Sequence, residues 1–338
     1  MKKKSIICSL LAGAAVALFM LPSLATAADK TVYIPIIGKV VEPPPTPTAQ
    51  TFTNSIDMAF NLIPGGTKFS VFTMGSPADE PGGPYPDETQ HKVSFSKSFY
   101  MQVAEVTNKH WDTVIVDKGR GESASPRGDD YPVERVNWYE AASFANWLSH
   151  DEGLTPCYNG HGTCTGTLGN DFTCTSVTNV TGCTGYRLPT EAQWEYAARA
   201  TTTTAWANPI SFETSADGLH TGIGLNRNLN AMGWYWYNGL EEPYGDYSKP
   251  VGRKQANRWA LYDMHGNVLE WCQDWYGIYP TLPVIDPQGP ANGDYRVIRG
   301  GHWRSAAGGA RSARRYGDFS PGVRRDFLGY RLVLPLGQ

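Results

Sequence analysis

Four of the six cysteines of this 338-residue chain lie close together in a segment rich in glycine and threonine. Thiols spaced in this way can bind a metal ion or form disulfide bonds. Zinc sites usually contain cysteine pairs separated by two residues, and the segment has no such pair. In an oxidising compartment the pattern predicts two local disulfide bonds, whose pairing the sequence leaves open. The four residues are Cys157, Cys164, Cys174 and Cys183.

The other residues that could take part in catalysis give weaker signals. Cys272 lies between Trp271 and Trp275 and is predicted to be a buried free thiol. Glu191 and Glu195 are four residues apart on a predicted helix and could form an acid–base pair. Ion pairing with nearby arginines is the favoured interpretation. The sequence contains no nucleophile elbow, phosphate-binding glycine loop or two-histidine metal motif, so no catalytic residue is assigned.

The N-terminus has the features of a bacterial signal peptide. Three lysines at positions 2–4 precede an apolar run over residues 6–21, and small residues follow at 25–27. An uncleaved membrane anchor is the alternative, because residues 5–28 carry no charge. The small residues favour cleavage after Ala27. We therefore predict a signal peptide over residues 1–27, a secreted or periplasmic mature protein, and no membrane span after cleavage.

Residues 28–50 are predicted to form an apolar arm followed by a proline-rich linker. The arm, residues 31–41, is rich in β-branched side chains, and residues 42–48 have the composition of a stiff polyproline spacer. Packing of the arm on the edge of the domain's own sheet is favoured. Pairing with a neighbouring molecule, which would produce self-assembly through residues 31–41, is the alternative.

Residues 51–338 are predicted to form one α+β domain with few helices, short strands and much irregular loop. The chain contains 36 glycines and 24 prolines, yet 41% of its residues are hydrophobic, which excludes disorder as the explanation. Helices are predicted to start after Thr107, Asn137 and Thr190, and the last two form capping boxes with Glu140 and Gln193. A net charge of −3 argues against nucleic-acid binding.

Several ordered motifs extend through this domain. The most specific are GYRLPTEAQWEYAAR at 185–199, LYDMHGNVLEW at 261–271 and RGGHW at 299–303. Together with shorter matches between residues 54 and 334, they resemble the formylglycine-generating enzyme (sulfatase-modifying factor) domain family. The resemblance implies a C-type-lectin-like fold.

The resemblance also implies copper chemistry that this chain lacks the ligands to perform. Oxidases of the family bind copper(I) through two cysteines, at positions that match Ser305 and Ala310 here. No cysteine follows Cys272 in this sequence, so copper binding and formylglycine-type oxidation are not expected. Relatives that use non-haem iron carry a separate histidine-rich helical domain, for which this chain has no room.

A structural calcium ion is implied by the resemblance at the Gly-Asn-Val-Leu-Glu-Trp motif. Hard cations take carboxylate, amide and backbone oxygens as ligands. Glu270 would supply the charge, with Asn267 and the carbonyls of Gly266 and Val268 beside it. The alternative is that Asn267 and Glu270 only form hydrogen bonds within the loop.

A ligand groove is predicted in the C-terminal segment of the implied fold. Framework residues would form its floor, and the residues between them would line it; arginine and tyrosine together suit a recognition surface. The alternative is that the arginines form structural ion pairs. Related variable proteins of diversity-generating retroelements change this same segment. The predicted residues are His302, Trp303, Arg304, Ser305, Arg311, Arg314, Arg315, Tyr316, Asp318, Phe319 and Arg324.

These observations favour an exported, non-oxidase binding module whose partner is an unidentified ligand or protein, with calcium as structural support. The first alternative is an oxidase or another enzyme that uses the same cleft. The second is a structural subunit that assembles through the N-terminal arm.

Overall fold

The computed structural model describes residues 50–66, 70–80, 82–83, 85–125, 127–208, 225–240 and 246–336. The predicted signal peptide, the arm and nearly all of the linker lie outside these residues. Within the described residues, no helix is both long and apolar enough to cross a membrane.

Fifteen short strands form small sheets in the described part of the chain. One sheet has the order β1 (Thr51–Thr53), β2 (Ala59–Ile63), β5 (Phe99–Gln102), β15 (Val333–Pro335). A second has the order β13 (Arg315–Tyr316), β12 (Arg296–Arg299), β10 (Leu269–Trp275), β14 (Leu328–Gly329). A third consists of β11 (Val284–Ile285), β4 (His91–Ser94) and β3 (Phe72–Met74). Two further pairs join β6 (Tyr158–Asn159) to β9 (Thr178–Asn179) and β7 (Cys164–Thr165) to β8 (Thr173–Cys174).

Three helices begin where the sequence predicts them, after Thr107, Asn137 and Thr190. Helix α1 (Asn108–Trp111) continues as a π-helical turn (Asp112–Val116), and α2 and α3 span Trp138–Asp151 and Glu191–Arg199. The Asn137 and Thr190 side chains accept hydrogen bonds from the backbone NH groups three residues later, which completes both predicted capping boxes. Two short helices, α4 (Arg227–Met232) and α5 (Trp236–Gly239), were not predicted. The result is the predicted α+β domain with few helices, short strands and much loop.

The cysteine-rich segment contains the two predicted disulfide bonds in a nested arrangement. Cys157 pairs with Cys183, and Cys164 pairs with Cys174 inside the loop that the first bond closes. The inner pair also joins β7 to β8, where Cys164 lies opposite Cys174. Cys272 is a free cysteine with no exposed surface, as predicted.

Aromatic side chains fill the core and bring the C-terminal strands against the helices. Trp138 at the start of α2 donates a hydrogen bond from its indole to the carbonyl of Cys272 in β10 (2.9 Å). Trp271 donates in the same way to the carbonyl of Val136 (3.0 Å). A Cβ atom at Gly329 would lie 2.6 Å from the Val133 carbonyl oxygen, so only glycine lets β14 approach this closely. These contacts fix the position of β10, from which the candidate site is built.

Candidate functional site

Buried ion pairs connect helix α3 to the second sheet. Glu191 and Glu195 lie on one face of α3, as their spacing predicts. Glu195 accepts hydrogen bonds from Arg199 (2.8 Å) and from Arg299 of β12 (2.5 Å). Glu191 accepts two from Arg315 of β13, at 2.8 and 2.7 Å. Both carboxylates therefore hold arginines in place, and neither is left open to a substrate.

Arg311 and Trp303 lie in the same buried layer. The Arg311 guanidinium has no exposed surface and donates to both carboxylate oxygens of Glu88 at 2.9 Å, and also to Glu80. Trp303 is 2% exposed. Because the charge of Arg311 is neutralised inside the protein, it supports the surface above without being able to contact a ligand.

Aromatic and arginine side chains form the surface above this layer. The Arg314 guanidinium lies over the rings of Tyr85 (3.8 Å to the centroid) and Tyr316 (4.6 Å), and Tyr85 is 44% exposed. The Arg314 guanidinium also lies 3.6 Å from a Glu88 carboxylate oxygen and its side chain is 19% exposed, so part of this cation can meet a partner. The Tyr316 hydroxyl donates to the Gly309 carbonyl (3.0 Å), which fixes its ring.

A second aromatic group lies farther along the same segment. The His302 ring stacks on Phe327 with centroids 4.4 Å apart, and its backbone NH donates to Ser305 Oγ (3.0 Å). Phe319 lies 6.5 Å from Phe327 and carries Arg325 over its ring at 5.6 Å. We call the whole set the C-terminal surface: Tyr85, His302, Arg304, Arg314, Tyr316, Phe319, Arg325 and Phe327.

The structure divides the predicted groove residues into two layers and separates one from the rest. Five lie on the C-terminal surface, and Asp318 is exposed near them. Trp303, Arg311 and Arg315 lie below it, and Ser305 is only 8% exposed, so these four do not line a groove. Arg324 turns away and pairs with Glu140 of α2 (2.5 Å). The five surface residues are His302, Arg304, Arg314, Tyr316 and Phe319.

Sequence reasoning placed Arg325 among the residues between the framework positions, but it missed Tyr85 and Phe327 as members of this surface. Arg325 and Phe327 lie in the segment already under consideration, and the density of arginine and aromatic residues there was the available signal. Tyr85 is more than 200 positions away from Arg314, and no local pattern marks it.

Ser305 and Ala310, which the resemblance matches to the oxidases' cysteines, and the free cysteine Cys272 are all buried. Ser305 and Ala310 stand where the family's oxidases have cysteines, and Ala310 has no exposed surface. Burial raises the pKa of the Cys272 thiol well above its usual value, and the neighbouring Asp274 and Glu191 raise it further. Since the thiolate is the reactive form, Cys272 is not a nucleophile in this environment.

His265 is also committed to structural bonds. Its Nε2 accepts from the Ala207 NH (3.2 Å), which leaves Nδ1 to donate to the Ala310 carbonyl (2.9 Å). Burial lowers the pKa of His265 to about 4, so the ring is neutral near pH 7. Neither ring nitrogen is open to a metal ion.

The side chains of the predicted calcium site are engaged with other groups. Glu270 accepts hydrogen bonds from Arg331 at both oxygens (2.7 Å each) and from the Trp194 indole (2.8 Å). The Asn267 amide oxygen accepts from the Lys249 NH (2.8 Å). A guanidinium already neutralises the carboxylate that calcium would need, so these side chains as placed do not fit the ion. The described residues contain no group of three or more acidic, histidine or cysteine side chains able to hold a metal.

Lys249 places a positive charge beside this loop. Its ammonium group donates to the carbonyls of Gly239 and Tyr247, both at 2.5 Å, and its side chain has no exposed surface. Burial lowers the pKa of Lys249 to about 8. The carbonyl oxygens of Gly239 and Tyr247 are therefore occupied by a cation that belongs to the chain.

Two buried carboxyl groups lie together behind the same loop. Glu105 and Asp263 are each 1% exposed, and Glu105 accepts from the Asn267 amide nitrogen (3.1 Å). Burial raises the pKa of Glu105 well above its usual range and that of Asp263 to about 6. The charge of Asp263 raises the pKa of Glu105 further, whereas a hydrogen bond with Glu105 lowers the pKa of Asp263, so the two carboxyls titrate as a pair.

Comparison with known proteins gives consistent matches. The family model described as "Sulfatase-modifying factor enzyme 1-like domain" matches residues 47–336. Chaperone protein LppX of Paenibacillus barcinonensis is 35% identical over 223 residues, covering 62% of this chain and 70% of the relative. The formylglycine-generating enzyme of Streptomyces coelicolor is 30% identical over 179 residues, covering 52% of this chain and 42% of the enzyme.

Solved structures extend the comparison to the fold. Treponema denticola variable protein 1 has a TM-score of 0.62 and 29% identity, covering 86% of this chain and all of the other. The chain also matches chlamydial serine/threonine-protein kinases named Pkn1, but it spans only about a quarter of their length.

Proposed function

Because the chain belongs to the sulfatase-modifying factor enzyme 1-like family, we propose that it is an exported member that binds a protein through its C-terminal surface instead of oxidising cysteine. The family's oxidases depend on two thiolates that hold copper(I). This chain has no cysteine after Cys272, and the residues at the two matching positions are serine and alanine. Two disulfide bonds in the described domain support an oxidising compartment, as does the signal-like N-terminus.

The observation that carries the proposal is the composition of the C-terminal surface above its neutralised floor. Arginine and tyrosine are enriched in the residues that contribute most to protein interfaces. Arg314 is held between two tyrosine rings, and Arg325 lies over Phe319, so both cations are partly ordered before a partner arrives. The chaperone relative, at 35% identity, supports a protein as the partner.

The proposed binding can be tested with the mature protein immobilised and exposed to the exported proteins of its source organism. Bound proteins are quantified by mass spectrometry for the wild type and for Arg314→Ala/Arg325→Ala. We expect the surface variant to lose a partner by roughly tenfold or more, since each interface anchor contributes about 1–2 kcal/mol or more. The matched control is Lys118→Ala/Arg253→Ala, which changes two exposed cations outside the surface. Equal retention by the surface variant would contradict the proposal.

The non-oxidase part of the proposal has its own measurement. Purified mature protein is titrated with copper(I), and oxygen consumption is followed with a cysteine-containing peptide as substrate. We expect neither tight copper(I) binding nor oxygen consumption above a protein-free blank. Turnover of the peptide would restore the oxidase alternative.

A further inference from the structure

A cleft with both charged and apolar lining residues lies beside the outer disulfide bond, and none of these residues belongs to the C-terminal surface. It consists of a cavity of about 500 Å³ and an adjoining one of about 180 Å³. The larger volume lies within the range of small-molecule sites. The two cavities share five lining residues: Lys97, Arg187, Gln288, Pro335 and Leu336.

Arg187 is fixed in this cleft by its backbone and by one of its guanidinium nitrogens. Its NH and carbonyl exchange hydrogen bonds with Val333 of β15, at 3.0 and 2.8 Å. Nη1 donates to the Leu188 carbonyl (2.9 Å) and to Gln193 Oε1 (2.8 Å). Among the described residues, nothing accepts a hydrogen bond from Nε or Nη2. The guanidinium is therefore positioned while one edge of its donor fork stays open.

Arg187 has no carboxylate partner, unlike four other framework arginines. Arg299, Arg311, Arg315 and Arg331 each pair with a buried glutamate. Arg187 forms no ion pair with any carboxylate in the part of the chain that the structure describes. Arg187 is half-buried in the cleft wall, so water solvates its charge only in part and a bound anion would supply the missing counter-charge.

The neighbouring charges leave this cation only partly compensated. Burial lowers the pKa of Arg187, and Asp274 offsets part of that change. Asp274 is itself buried, and burial together with Glu191 raises its pKa to about 7, so it is only partly ionised near neutral pH. Lys97 adds an exposed positive charge to both cavities.

Of the two cavities that Arg187 and Lys97 line, only the smaller has an acidic residue in its wall. The lining residues of the larger cavity include no aspartate or glutamate. Asp286 lines the smaller cavity, where its carboxylate accepts from the Ser96 NH (3.0 Å). The larger cavity is therefore the positive end of the cleft.

We propose that this cleft binds a small ligand through a carboxylate group. The carboxylate would accept hydrogen bonds from Nε and Nη2 of Arg187, because the planar guanidinium fork matches two carboxylate oxygens. Lys97 would add a point charge at the rim. Asn179 offers an amide group to the body of the ligand, and Pro335 and Leu336 offer an apolar wall. Two sources share this chemistry: an acidic sugar and the free C-terminus of a peptide.

Isothermal titration calorimetry on the mature protein tests the site with probes of defined chemistry. The acidic probes are sodium glucuronate and N-acetyl-alanyl-alanine, and their neutral counterparts are glucose and N-acetyl-alanyl-alanine amide. We expect at least one acid to bind at low salt, with its neutral counterpart binding at least about tenfold more weakly, because a charge-assisted bidentate contact is lost. The acid that binds more tightly identifies the source.

Variants connect the binding to the two cations. Arg187→Gln should weaken binding of the acidic probe by at least about tenfold. Because Arg187 also donates hydrogen bonds to Leu188 and Gln193, thermal unfolding of the Arg187→Gln variant is measured in parallel. Lys97→Gln changes an exposed side chain and should weaken binding about two- to fivefold. The control Lys118→Gln, an exposed lysine outside the cleft, should leave it unchanged. The proposal would be overturned if neither acid bound, or if the acids and their neutral counterparts bound equally. It would also be overturned if Lys97→Gln and Arg187→Gln both folded and bound the acid with wild-type affinity.

Discussion

Replacement of Arg331 by methionine tests whether a guanidinium, and not a metal ion, neutralises Glu270. Arg331 has no exposed surface and makes two hydrogen bonds of 2.7 Å to the Glu270 carboxylate. It also donates to the Tyr262 carbonyl (2.9 Å). Arg331→Met keeps an unbranched apolar stem but removes the guanidinium, which leaves Glu270 buried without its cation.

The expected loss of stability follows from this geometry. Removing one partner of a buried ion pair costs about 3–5 kcal/mol, because the remaining charge stays in a poorly solvated position. For a domain of this size each kcal/mol lowers the melting temperature by about 2–4 °C, so the drop should be about 6–20 °C. The double variant Glu270→Gln/Arg331→Met should recover part of it, since no charge remains buried and the glutamine oxygen can still accept from the Trp194 indole.

The assay compares urea unfolding and thermal melting with and without EDTA. If calcium bound here, a free calcium concentration of 100 times the dissociation constant would add about 2.7 kcal/mol to the free energy of unfolding. Chelation by EDTA would remove this stabilisation. If Arg331 supplies the counter-charge, EDTA leaves the wild type unchanged. The control Arg325→Met alters an exposed arginine whose guanidinium donates to the Arg324 carbonyl, and its effect should stay within about 0.5 kcal/mol. A clear loss of stability in EDTA, restored by calcium, together with a tolerated Arg331→Met, would refute this reasoning.

Two further predictions concern pH and the disulfide bonds. The folded-state pKa values of Glu105 and Asp263 are raised, the latter to about 6, so folding takes up protons and stability falls as pH rises from about 4 through these values. Glu105→Gln should flatten this slope in urea midpoints measured at pH 4.5 and 7.5, and an unchanged slope would contradict the assignment. Removing the outer disulfide by Cys157→Ser/Cys183→Ser should cost about 3.5 kcal/mol, against about 2.7 kcal/mol for Cys164→Ser/Cys174→Ser, because the loops span 26 and 10 residues. Equal or reversed losses in thermal unfolding would show that chain entropy does not govern these bonds.

Local features of the structure could be read from the sequence because local bonds produce them. The starts of α2 and α3 depend on a side chain and a backbone NH three residues apart, and the spacing of Asn137 and Thr190 from their partners encodes both. The clustering of four cysteines likewise indicated two disulfide bonds. The ordered motifs identified the family, and with it the fold.

The roles of the charged residues could not be read in this way. The sequence pointed to Glu191 pairing with a nearby arginine on its own segment, whereas its partner is Arg315, 124 positions away. Glu270 had the type and motif of a calcium ligand, yet Arg331 occupies both of its oxygens. A carboxylate can bind either cation, and only the packing of distant segments decides which one reaches it.

The sequence by itself therefore determined the scaffold, the helix starts, the nature of the cysteine segment and the absence of the oxidase thiols. The tertiary structure decided which arginines are exposed. Arg311 and Arg314 are three positions apart in one segment and both contact Glu88, but the Arg311 side chain has no exposed surface whereas that of Arg314 is 19% exposed and lies over Tyr85. The same holds for Arg187, whose open donors depend on no acidic residue being folded against it. Burial and pairing depend on contacts between residues hundreds of positions apart, and residue type and spacing carry no record of those contacts.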